Sequence, residues 1–518
     1  MTPIEDLRSK AALHPNRIAF IAGESIWTYR RLLSDVEHIA LAFSTKGIRS
    51  RDRIVLHMTN TPQFAIALLA CLRMGAIAVP LNNRFKAKEL TSVLQRLAPT
   101  LYIGSARFKS EMAMVSRDIL PYSARWILSD TEDDEGCEWP WHADGDAEMP
   151  DVPIDINAPS LLLTTSGTTG EPKIVVHTLS TLTAISKTYH NYGLEDSDIM
   201  LNASPMVHAG GLFAFLASLY RACPMVIIER FDADAVLDAI EEHRCSWVKG
   251  LPFMFAAMME CQRLRPRDVR SLRFCVSGGD VCPAELQTAF PFVFGRPLHS
   301  IWASTEASGS LAFGRHAGAV STIPSDGEVR LVDDAGRPVA MGETGELLVR
   351  GPNVSPGYWT GGTGPDTRTD GWLATGDMMR FGEDGDIWFS GRKKNLIIRG
   401  GSNISPVEVE QALLTHPDIR EAAVFGIPDH NLGERVAAFL EIERPAGKET
   451  LNAIIAHARL QLADYKVPEH IEVTETIPRT ATGKIDRGAL LALFEEIHPL
   501  PAVPGHSRIA DQPIPDRR

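Results

Sequence analysis

What this sequence lacks excludes several classes of protein. Its 518 residues include 7 cysteines, which are too few and too dispersed for a disulfide scaffold. Only Cys275 and Cys282 lie close together, and no pair of histidines accompanies them at the spacing of a zinc site. We therefore expect buried, reduced thiols.

An excess of basic residues is also missing. The chain has 52 Lys and Arg against 65 Asp and Glu, which gives a formal net charge of -13 at pH 7. Nucleic acids and anionic membranes attract basic surfaces, so neither is an expected partner. Any phosphate group has to be bound by a local arrangement of residues.

Long uninterrupted hydrophobic runs are absent as well. The longest apolar stretch, from Phe64 to Leu81, is interrupted by Arg73 and closed by Pro80. It predicts a buried helix followed by a strand, and no integral membrane segment. The N-terminal residues lack a basic region followed by an apolar core, so we predict no secretory signal and a cytoplasmic location.

The order of apolar runs predicts the fold class. Strand-like and helix-like runs alternate from the N-terminus to about Phe389, which indicates βα units and mostly parallel sheets. Between Gly327 and Gly351, short strands and Gly-rich turns predict a small β-barrel or an antiparallel sheet. We predict an α/β protein: a large N-terminal domain of two β-sheet/helix subdomains plus a small β-barrel, followed by a small α+β C-terminal domain.

Turn and capping signals mark the C-terminal part of the chain. Asp384-Gly385, between two apolar runs, predicts a hairpin because both residue types tolerate positive φ. Ser405 is expected to cap a helix, with Glu408 completing a capping box. We predict an N-terminal domain over residues 1–391, a C-terminal domain over 392–496 and a Pro-rich, disordered tail over 497–518.

The sequence "TSGTTGEPK" (Thr165 to Lys173) combines glycines, hydroxyl residues and one lysine directly after an apolar run. Glycines let backbone N–H groups approach an anion, while hydroxyl groups and an ammonium add donors and charge, so the loop predicts a polyphosphate site. The spacing differs from that of a Walker A loop, because Gly170 is not followed directly by lysine. For a generic loop of this composition, a solvated turn between a strand and a helix is the alternative.

This loop resembles the signature loop of the adenylate-forming superfamily, which includes acyl-CoA synthetases, luciferases and the adenylation domains of peptide synthetases. Four further motifs of that superfamily follow in the same order over most of the chain. They are Trp302-Ala303-Ser304-Thr305-Glu306, Thr375-Gly376-Asp377, Gly391-Arg392-Lys393-Lys394 and Pro478-Arg479-Thr480-Ala481-Thr482-Gly483-Lys484.

The resemblance implies an ATP-dependent carboxylic acid:CoA ligase that forms an acyl-AMP intermediate and then an acyl-CoA thioester, with ATP, Mg²⁺ and coenzyme A as cofactors and co-substrates. It implies four catalytic residues: Lys484, which bridges carboxylate and α-phosphate; Thr305, on the α-phosphate; Glu306, the magnesium ligand; and His208, beside the substrate carboxylate. Because Lys484 lies on the C-terminal domain, that domain is expected to be mobile. Lys394 is implied as its hinge residue.

Cofactor-binding residues follow from the same matches. The resemblance places the following residues on ATP or CoA: Thr165, Ser166, Gly167, Thr168, Thr169, Gly170, Lys173, Trp302, Ala303, Asp377, Arg392 and Gly401. Considered singly, each has another interpretation: Trp302 is also typical of a core aromatic, Asp377 of a turn residue, and Gly401 of a turn glycine. Lys484, Glu306 and Arg392 are equally typical of surface residues.

The acyl pocket is expected to be apolar. The resemblance implies that Val207, Ala209, Phe213, Gly278, Gly279 and Ile301 line it, so the expected substrate is a small-molecule fatty or aryl carboxylic acid. Ser300 and Ile301 stand where plant 4-coumarate:CoA ligases have Gln and Gly, which argues against assigning a hydroxycinnamate. Lys249 lies near the expected pocket wall and leaves a dicarboxylate substrate open.

Two other functions stay open at this point. One is a free-standing adenylating enzyme that loads a carrier protein or forms an amide. The other is an inactive acyl-adenylate-binding protein, against which the joint presence of Thr305, Glu306, Asp377, Arg392 and Lys484 argues. The oligomeric state, monomer or homodimer, is open too.

Overall fold

The protein is described here by a computed structural model. It describes residues 2–128, 139, 151–165, 172–322, 327–360, 370–382, 384–399, 402–429, 432–443, 447–480 and 483–498. By internal contacts the chain divides into two compact units. The first comprises Met1–Thr375 and Met379–Phe389, and the second Gly376–Met378 and Ser390–Arg518. The domain limits predicted from the sequence stay predictions.

The helices are α1 (Pro3–Leu13), α2 (Tyr29–Thr45), α3 (Pro62–Met74), α4 (Ala87–Leu97), α5 (Lys109–Ala113), α6 (Leu179–Thr188), α7 (Ala209–Arg221), α8 (Ala233–His243), α9 (Pro252–Leu264), α10 (Ala284–Phe294), α11 (Pro406–Leu414), α12 (Lys448–Gln461) and α13 (Arg487–Ile497). The strands are β1 (Ile18–Ala22), β2 (Ser25–Thr28), β3 (Arg53–His57), β4 (Ile77–Pro80), β5 (Leu101–Ser105), β6 (Arg125–Leu128), β7 (Pro159–Thr165), β8 (Lys173–Thr178), β9 (Met200–Asn202), β10 (Met225–Ile227), β11 (Trp247–Gly250), β12 (Phe274–Ser277), β13 (Leu298–Ser300), β14 (Leu311–Phe313), β15 (Ala319–Thr322), β16 (Glu328–Val332), β17 (Thr344–Arg350), β18 (Gly357–Tyr358), β19 (Leu373–Phe381), β20 (Asp386–Arg392), β21 (Ile397–Arg399), β22 (Ser402–Ile404), β23 (Ile419–Asp429), β24 (Gly433–Ile442) and β25 (His470–Val473).

Two seven-stranded sheets form the main layers of the first unit. One has the strand order β13-β12-β11-β9-β10-β1-β2 and is parallel except for the β1–β2 hairpin. The other has the order β18-β8-β7-β4-β3-β5-β6 and is parallel from β7 to β6. The predicted α/β class with mostly parallel sheets is confirmed.

Residues at its two ends determine where the helix α3 begins and ends. Thr61 caps it by accepting a hydrogen bond from Phe64 N, Pro62 occupies its first turn, and Gly75 ends it with a left-handed φ of 69°. Such a cap contributes about 1 kcal/mol. Every residue of the helix from Phe64 to Met74 is buried, and β4 follows, as the apolar stretch predicts.

One apolar core includes residues of both large sheets. Phe20 and Trp247 from the first sheet belong to the same buried cluster as Ile54 and Leu161 from the second. The cluster also includes the buried residues of α2, α3 and α7. The cysteines fit the prediction of reduced thiols: six are described, all are free, and Cys275 and Cys282 are buried.

A third sheet has the order β14-β15-β20-β19-β17-β16. The segment between Gly327 and Gly351, for which the sequence predicts a small β-barrel or an antiparallel sheet, forms its antiparallel strands β16 and β17. The hairpin predicted at Asp384-Gly385 joins β19 and β20, but of those two residues only Gly385 has positive φ (85°). Gly382 donates to Asp386 O at 2.7 Å and Gly385 to Gly382 O at 3.2 Å. The turn therefore starts earlier than the two-residue turn that the sequence predicts.

The second unit is α+β, as predicted, with its sheet in the order β22-β21-β24-β23 and β25 pairing with β24. Ser405 caps α11 by accepting from Glu408 N at 3.2 Å, but the predicted capping box is wrong. The Glu408 carboxylate binds Lys466 Nζ at 2.6 and 2.8 Å, because an ammonium attracts it more strongly than a backbone N–H group does. The sequence did not predict α13, which ends at Ile497.

Candidate active site

The predicted phosphate loop connects two antiparallel strands. β7 ends at Thr165 and β8 begins at Lys173, and these two residues are paired in the strand register. The interpretation of this loop as a connection between a strand and a helix is therefore wrong, since α6 starts only after β8, where Thr178 and Thr181 form a capping box. Lys173 is exposed and Thr165 half-buried. The other predicted loop residues lie outside the described residues: Ser166, Gly167, Thr168, Thr169 and Gly170.

The backbone carbonyl groups of Thr305 and Glu306 each accept a hydrogen bond. His177, at the end of β8, donates from Nε2 to Thr305 O at 2.9 Å, and Ser355 N donates to Glu306 O at 2.7 Å. Burial lowers the pKa of His177 to about 4, so its imidazole is neutral at pH 7 and carries its proton on the nitrogen that donates. The two predicted catalytic residues therefore have fixed main-chain positions next to β8.

Tyr358 connects Glu306 with the lysine of the phosphate loop. Its hydroxyl donates to Glu306 Oε1 at 3.0 Å, and Lys173 Nζ lies 4.8 Å from its ring centroid, within the range of a cation–π contact. The short strand β18 places Tyr358 there by pairing antiparallel with Val175 and Val176 of β8. One side chain thus contacts two predicted site residues that are far apart in the sequence.

Glu306 has the properties of a magnesium ligand. Its side chain is half-buried, and the oxygen Oε2 accepts no hydrogen bond from the residues that the structure describes. Mg²⁺ prefers hard, anionic oxygen donors and commonly binds one or two carboxylates together with substrate phosphates. The Glu306 carboxylate is therefore a suitable ligand for Mg²⁺.

The residues predicted for the acyl pocket lie at the carboxyl ends of the first parallel sheet. Gly278 and Gly279 follow β12, and Ile301 follows β13. A Cβ atom on Gly278 would lie 2.8 Å from Ile301 Cγ1, so only glycine allows Ile301 to pack there. At Gly279, with φ of 89°, an added Cβ would meet no atom within 4 Å.

The helix α7 begins at the same edge. His208 is its N-terminal capping residue and is half-buried, while Val207 and Phe213 are buried in the core and Ala209 is half-buried. The ring of Phe213 packs edge-on against His177 at 5.2 Å. In open parallel sheets, ligands bind outside the carboxyl ends of the strands, which is where these residues are found.

Trp302 and Ala303 lie between β13, the last strand of the first sheet, and β14 of the third sheet. Trp302 retains only 8% of its exposure and packs in the core cluster of that sheet, and Ala303 is half-buried. The indole is thus mainly a core aromatic in this structure. Its predicted stacking on adenine stays a prediction.

In the second unit, the two residues predicted on the ribose lie together. Arg392 Nε is 2.5 Å from Asp377 Oδ1, and Asp377 is buried. Gly391, with φ of 117°, precedes this arginine. Lys394 is exposed in a short 3₁₀ turn over Lys393–Asn395, and Gly401 lies outside the described residues.

Lys484 is exposed and lies in a tight turn of the second unit. Its carbonyl accepts from Thr480 N at 2.7 Å, and Gly483 has φ of 87°. Arg479 anchors the turn by donating to Gly483 O at 2.8 Å and by pairing with Glu421 of β23. The carbonyl groups of Gly483 and Lys484 are therefore hydrogen-bonded, while the Lys484 side chain is exposed to solvent.

Comparison with known proteins decides the family. The model of the AMP-binding enzyme family matches residues 7–359, and that of the AMP-binding enzyme C-terminal domain matches residues 408–484. The chain belongs to the AMP-binding enzyme family.

Two relatives that the chain resembles are CoA ligases. Feruloyl-CoA synthase of Amycolatopsis sp is 32% identical over 499 residues, covering 94% of this chain and 97% of the relative. Medium-chain fatty-acid–CoA ligase of Escherichia coli K12 is 31% identical over 497 residues, covering 91% and 87%. These matches support ATP-dependent ligation of a carboxylic acid to CoA, with the acid unresolved.

A solved member of the family has the same fold. It is o-succinylbenzoate CoA synthetase from Bacillus subtilis in complex with its acyl-adenylate intermediate, with a TM-score of 0.81 and 27% identity. The match covers 95% of this chain and 98% of that structure. ATP, Mg²⁺ and CoA are the co-substrates and metal of such adenylate-forming ligases.

As a member of the AMP-binding enzyme family, the chain carries contacts that its sequence did not reveal. His177 and Tyr358 were not predicted, because the contacts that bring them to Thr305 and Glu306 depend on strand pairing between distant segments. A lone histidine ending the apolar run "KIVVH" was the only local signal for His177.

In the part of the chain that the structure describes, no helix is long and apolar enough to span a bilayer.

We expect Tyr358→Phe to weaken binding of magnesium-bound ATP. The change removes the hydroxyl that fixes Glu306 but keeps the ring beside Lys173. A hydrogen bond to a carboxylate is worth about 1.5–3 kcal/mol, so the Kd for magnesium-bound ATP should rise about tenfold or more. Calorimetric titration of the nucleotide with and without Mg²⁺ measures the effect without turnover.

Tyr465→Phe is the matched control, since this tyrosine is exposed in the second unit. Equal affinities for the nucleotide in Tyr358→Phe and in the control would contradict the role of the hydroxyl.

Proposed function

We propose that this protein activates a hydrophobic carboxylic acid, fatty or aryl, as an acyl-AMP and transfers the acyl group to CoA, releasing AMP and pyrophosphate. One observation carries the proposal. Tyr358 donates to the Glu306 carboxylate and contacts Lys173, so the carboxylate that we assign to the metal and the ammonium that we assign to phosphate both contact one side chain next to the predicted loop. Such an arrangement suits a reaction that needs negative charge stabilised on several phosphate oxygens at once.

In the first step, a carboxylate oxygen of the acid attacks the α-phosphorus of ATP. The bond from this phosphorus to the bridging oxygen breaks, and pyrophosphate leaves with the electron pair. We assign Lys173 and the loop to pyrophosphate, Thr305 to the α-phosphate, and His208 to the orientation of the carboxylate. Glu306 would hold Mg²⁺, which supplies positive charge to the phosphate oxygens when it is bound.

In the second step, the CoA sulfur attacks the acyl carbonyl carbon, AMP leaves, and the thiol proton is released. We assign Asp377 and Arg392 to the ribose, because their carboxylate and guanidinium already lie together in the second unit. Lys484 is assigned to the first step, Lys394 to the hinge and Gly401 to the passage of pantetheine. These roles, like the cytoplasmic location and the choice between monomer and homodimer, stay predictions.

The test is an acid panel incubated with ATP and Mg²⁺, with and without CoA. We expect AMP release with some of the acids and a thioester of matching mass only when CoA is present. A thioester that forms only on an added carrier protein, or an amide that forms with an added amine but not a thioester with CoA, would favour the free-standing adenylating enzyme. AMP release with none of the acids would contradict the proposal.

A further inference from the structure

A buried lysine lies at the sheet edge that carries the residues assigned to the acyl pocket. Lys249 is the third residue of β11 and retains 8% of its exposure. In the strand register it is paired with Val276 of β12 and Asn202 of β9. Val276 belongs to the apolar core that includes residues of both large sheets, so the side chain of Lys249 is on the face of the sheet that contributes to that core.

The position is one residue from the carboxyl end of its strand. The next strands along this edge lead directly into the assigned pocket: Gly278 N donates to Gly250 O at 3.1 Å, and Ile301 N donates to Ser277 O at 2.9 Å. On the other side, Asn202 Nδ2 donates to Gly211 O of α7 at 3.2 Å, near His208 in the sequence. Lys249 therefore shares an edge and a face of the sheet with the pocket residues.

No acidic group compensates the charge of this lysine within the described part of the chain. Lys249 Nζ donates to the hydroxyl of Tyr189 at 3.1 Å and lies 5.2 and 5.9 Å from the ring centroids of Tyr189 and Tyr192. Burial lowers the pKa of Lys249 to about 8. Aromatic rings stabilise a cation only in part, and a buried, unpaired charge is costly to the folded state.

The unpaired ammonium also has spare hydrogen-bonding capacity. It carries three N–H donors, and among the described residues only Tyr189 accepts from it. Tyr192 is fully buried beside it. A group that satisfies these donors and neutralises the charge has to bring anionic oxygen into an otherwise apolar, aromatic environment.

We propose that Lys249 binds a second carboxylate of the substrate acid, at the end of the acyl group remote from the carboxylate that is activated. The inference rests on the proposed function, because it needs the acyl group to occupy this edge of the sheet. The carboxylate that reacts has its own assigned partners, His208 and Lys484. The substrate class is therefore an acid with an apolar middle and a carboxylate at each end.

The experiment compares pairs of acids of equal length, one ending in a second carboxylate and the other in a methyl group. The quantity measured is kcat/KM for AMP release with CoA present, for the wild-type protein, Lys249→Met and Lys249→Arg. We expect the wild type to prefer the dicarboxylate. Lys249→Met should lose about 100-fold on the dicarboxylate and nothing on the methyl-terminated acid, while Lys249→Arg keeps part of the preference.

Lys187→Met, at an exposed position of α6, is the matched control and should leave both values unchanged. Thermal melting supplies a second readout that does not depend on turnover. Lys249→Met should melt at a higher temperature than the wild type, because a buried unpaired charge has been replaced by an apolar side chain of similar length. A lower melting temperature would mean that the lysine is a structural residue, which overturns the inference.

The remaining outcomes separate the inference from the proposed function. A wild-type preference for the methyl-terminated acid, or for a keto acid of the same length over the dicarboxylate, overturns the inference and leaves the ligase activity standing. An equal loss on both acids in Lys249→Met overturns it too, since the lysine would then act on the carboxylate that reacts. Absence of AMP release with every acid would overturn the proposed function itself.

Discussion

Lys484→Ala is expected to abolish formation of the acyl-AMP while sparing thioester formation from a preformed acyl-AMP. The side chain is exposed, and the hydrogen bond from Thr480 N to the Lys484 carbonyl does not depend on it, so the change removes a charge without disturbing the fold. Loss of one electrostatic contact to a transition state costs about 100- to 1,000-fold in rate. Exchange of labelled pyrophosphate into ATP measures the first step, and thioester mass from supplied acyl-AMP measures the second.

Arg459→Ala is the control for Lys484→Ala, because this arginine is exposed on α12 of the same unit. It should leave both half-reactions unchanged. If Lys484→Ala exchanged pyrophosphate at nearly the wild-type rate, or if both half-reactions fell together, the assignment of Lys484 to the first step would be wrong.

Glu306→Gln is expected to have an effect of similar size on the first step. The amide oxygen can still accept from Tyr358, so the local packing is preserved, but the negative charge that suits Mg²⁺ is lost. We expect the rate of acyl-AMP formation to fall about 100-fold or more and to recover in part at high Mg²⁺. Titration of Mg²⁺ in the pyrophosphate exchange assay measures both quantities.

The matched control is Glu260→Gln, at an exposed position of α9. A Glu306→Gln protein whose Mg²⁺ dependence equals that of this control would show that Glu306 does not act on the metal. Melting curves of both variants verify that any loss of rate is not a loss of fold.

Local signals in the sequence were sufficient for much of the fold. The apolar stretch from Phe64 to Leu81 predicted α3 and β4, because the burial of such a run is visible within a few consecutive residues. The strand β8 was missed, since its apolar run has only three residues, Ile174, Val175 and Val176, and so short a run can belong to a strand or to a buried helix. The antiparallel pairing with β7 makes this segment a strand, and that pairing depends on the rest of the sheet.

The candidate site was predictable where it consists of contiguous motifs, as with Thr305 and Glu306. The residues that hold these two in place were not, because the contacts of His177 and Tyr358 join segments that are far apart along the chain. Glu408 shows a similar limit: the capping-box pattern is correct at the backbone, but Lys466, from a distant segment, takes its carboxylate. A short stretch of sequence does not show which distant charge will bind one of its side chains.

The hairpin connection between β7 and β8 has a further consequence for nucleotide capture. A phosphate loop that precedes a helix gains attraction from the aligned peptide dipoles of that helix, whereas here the residue that follows the loop begins a strand. The charge at this position then comes from Lys173, which is exposed to solvent. Because dissolved ions screen exposed charges over about 10 Å at 0.1 M ionic strength, the affinity for ATP should fall as ionic strength rises.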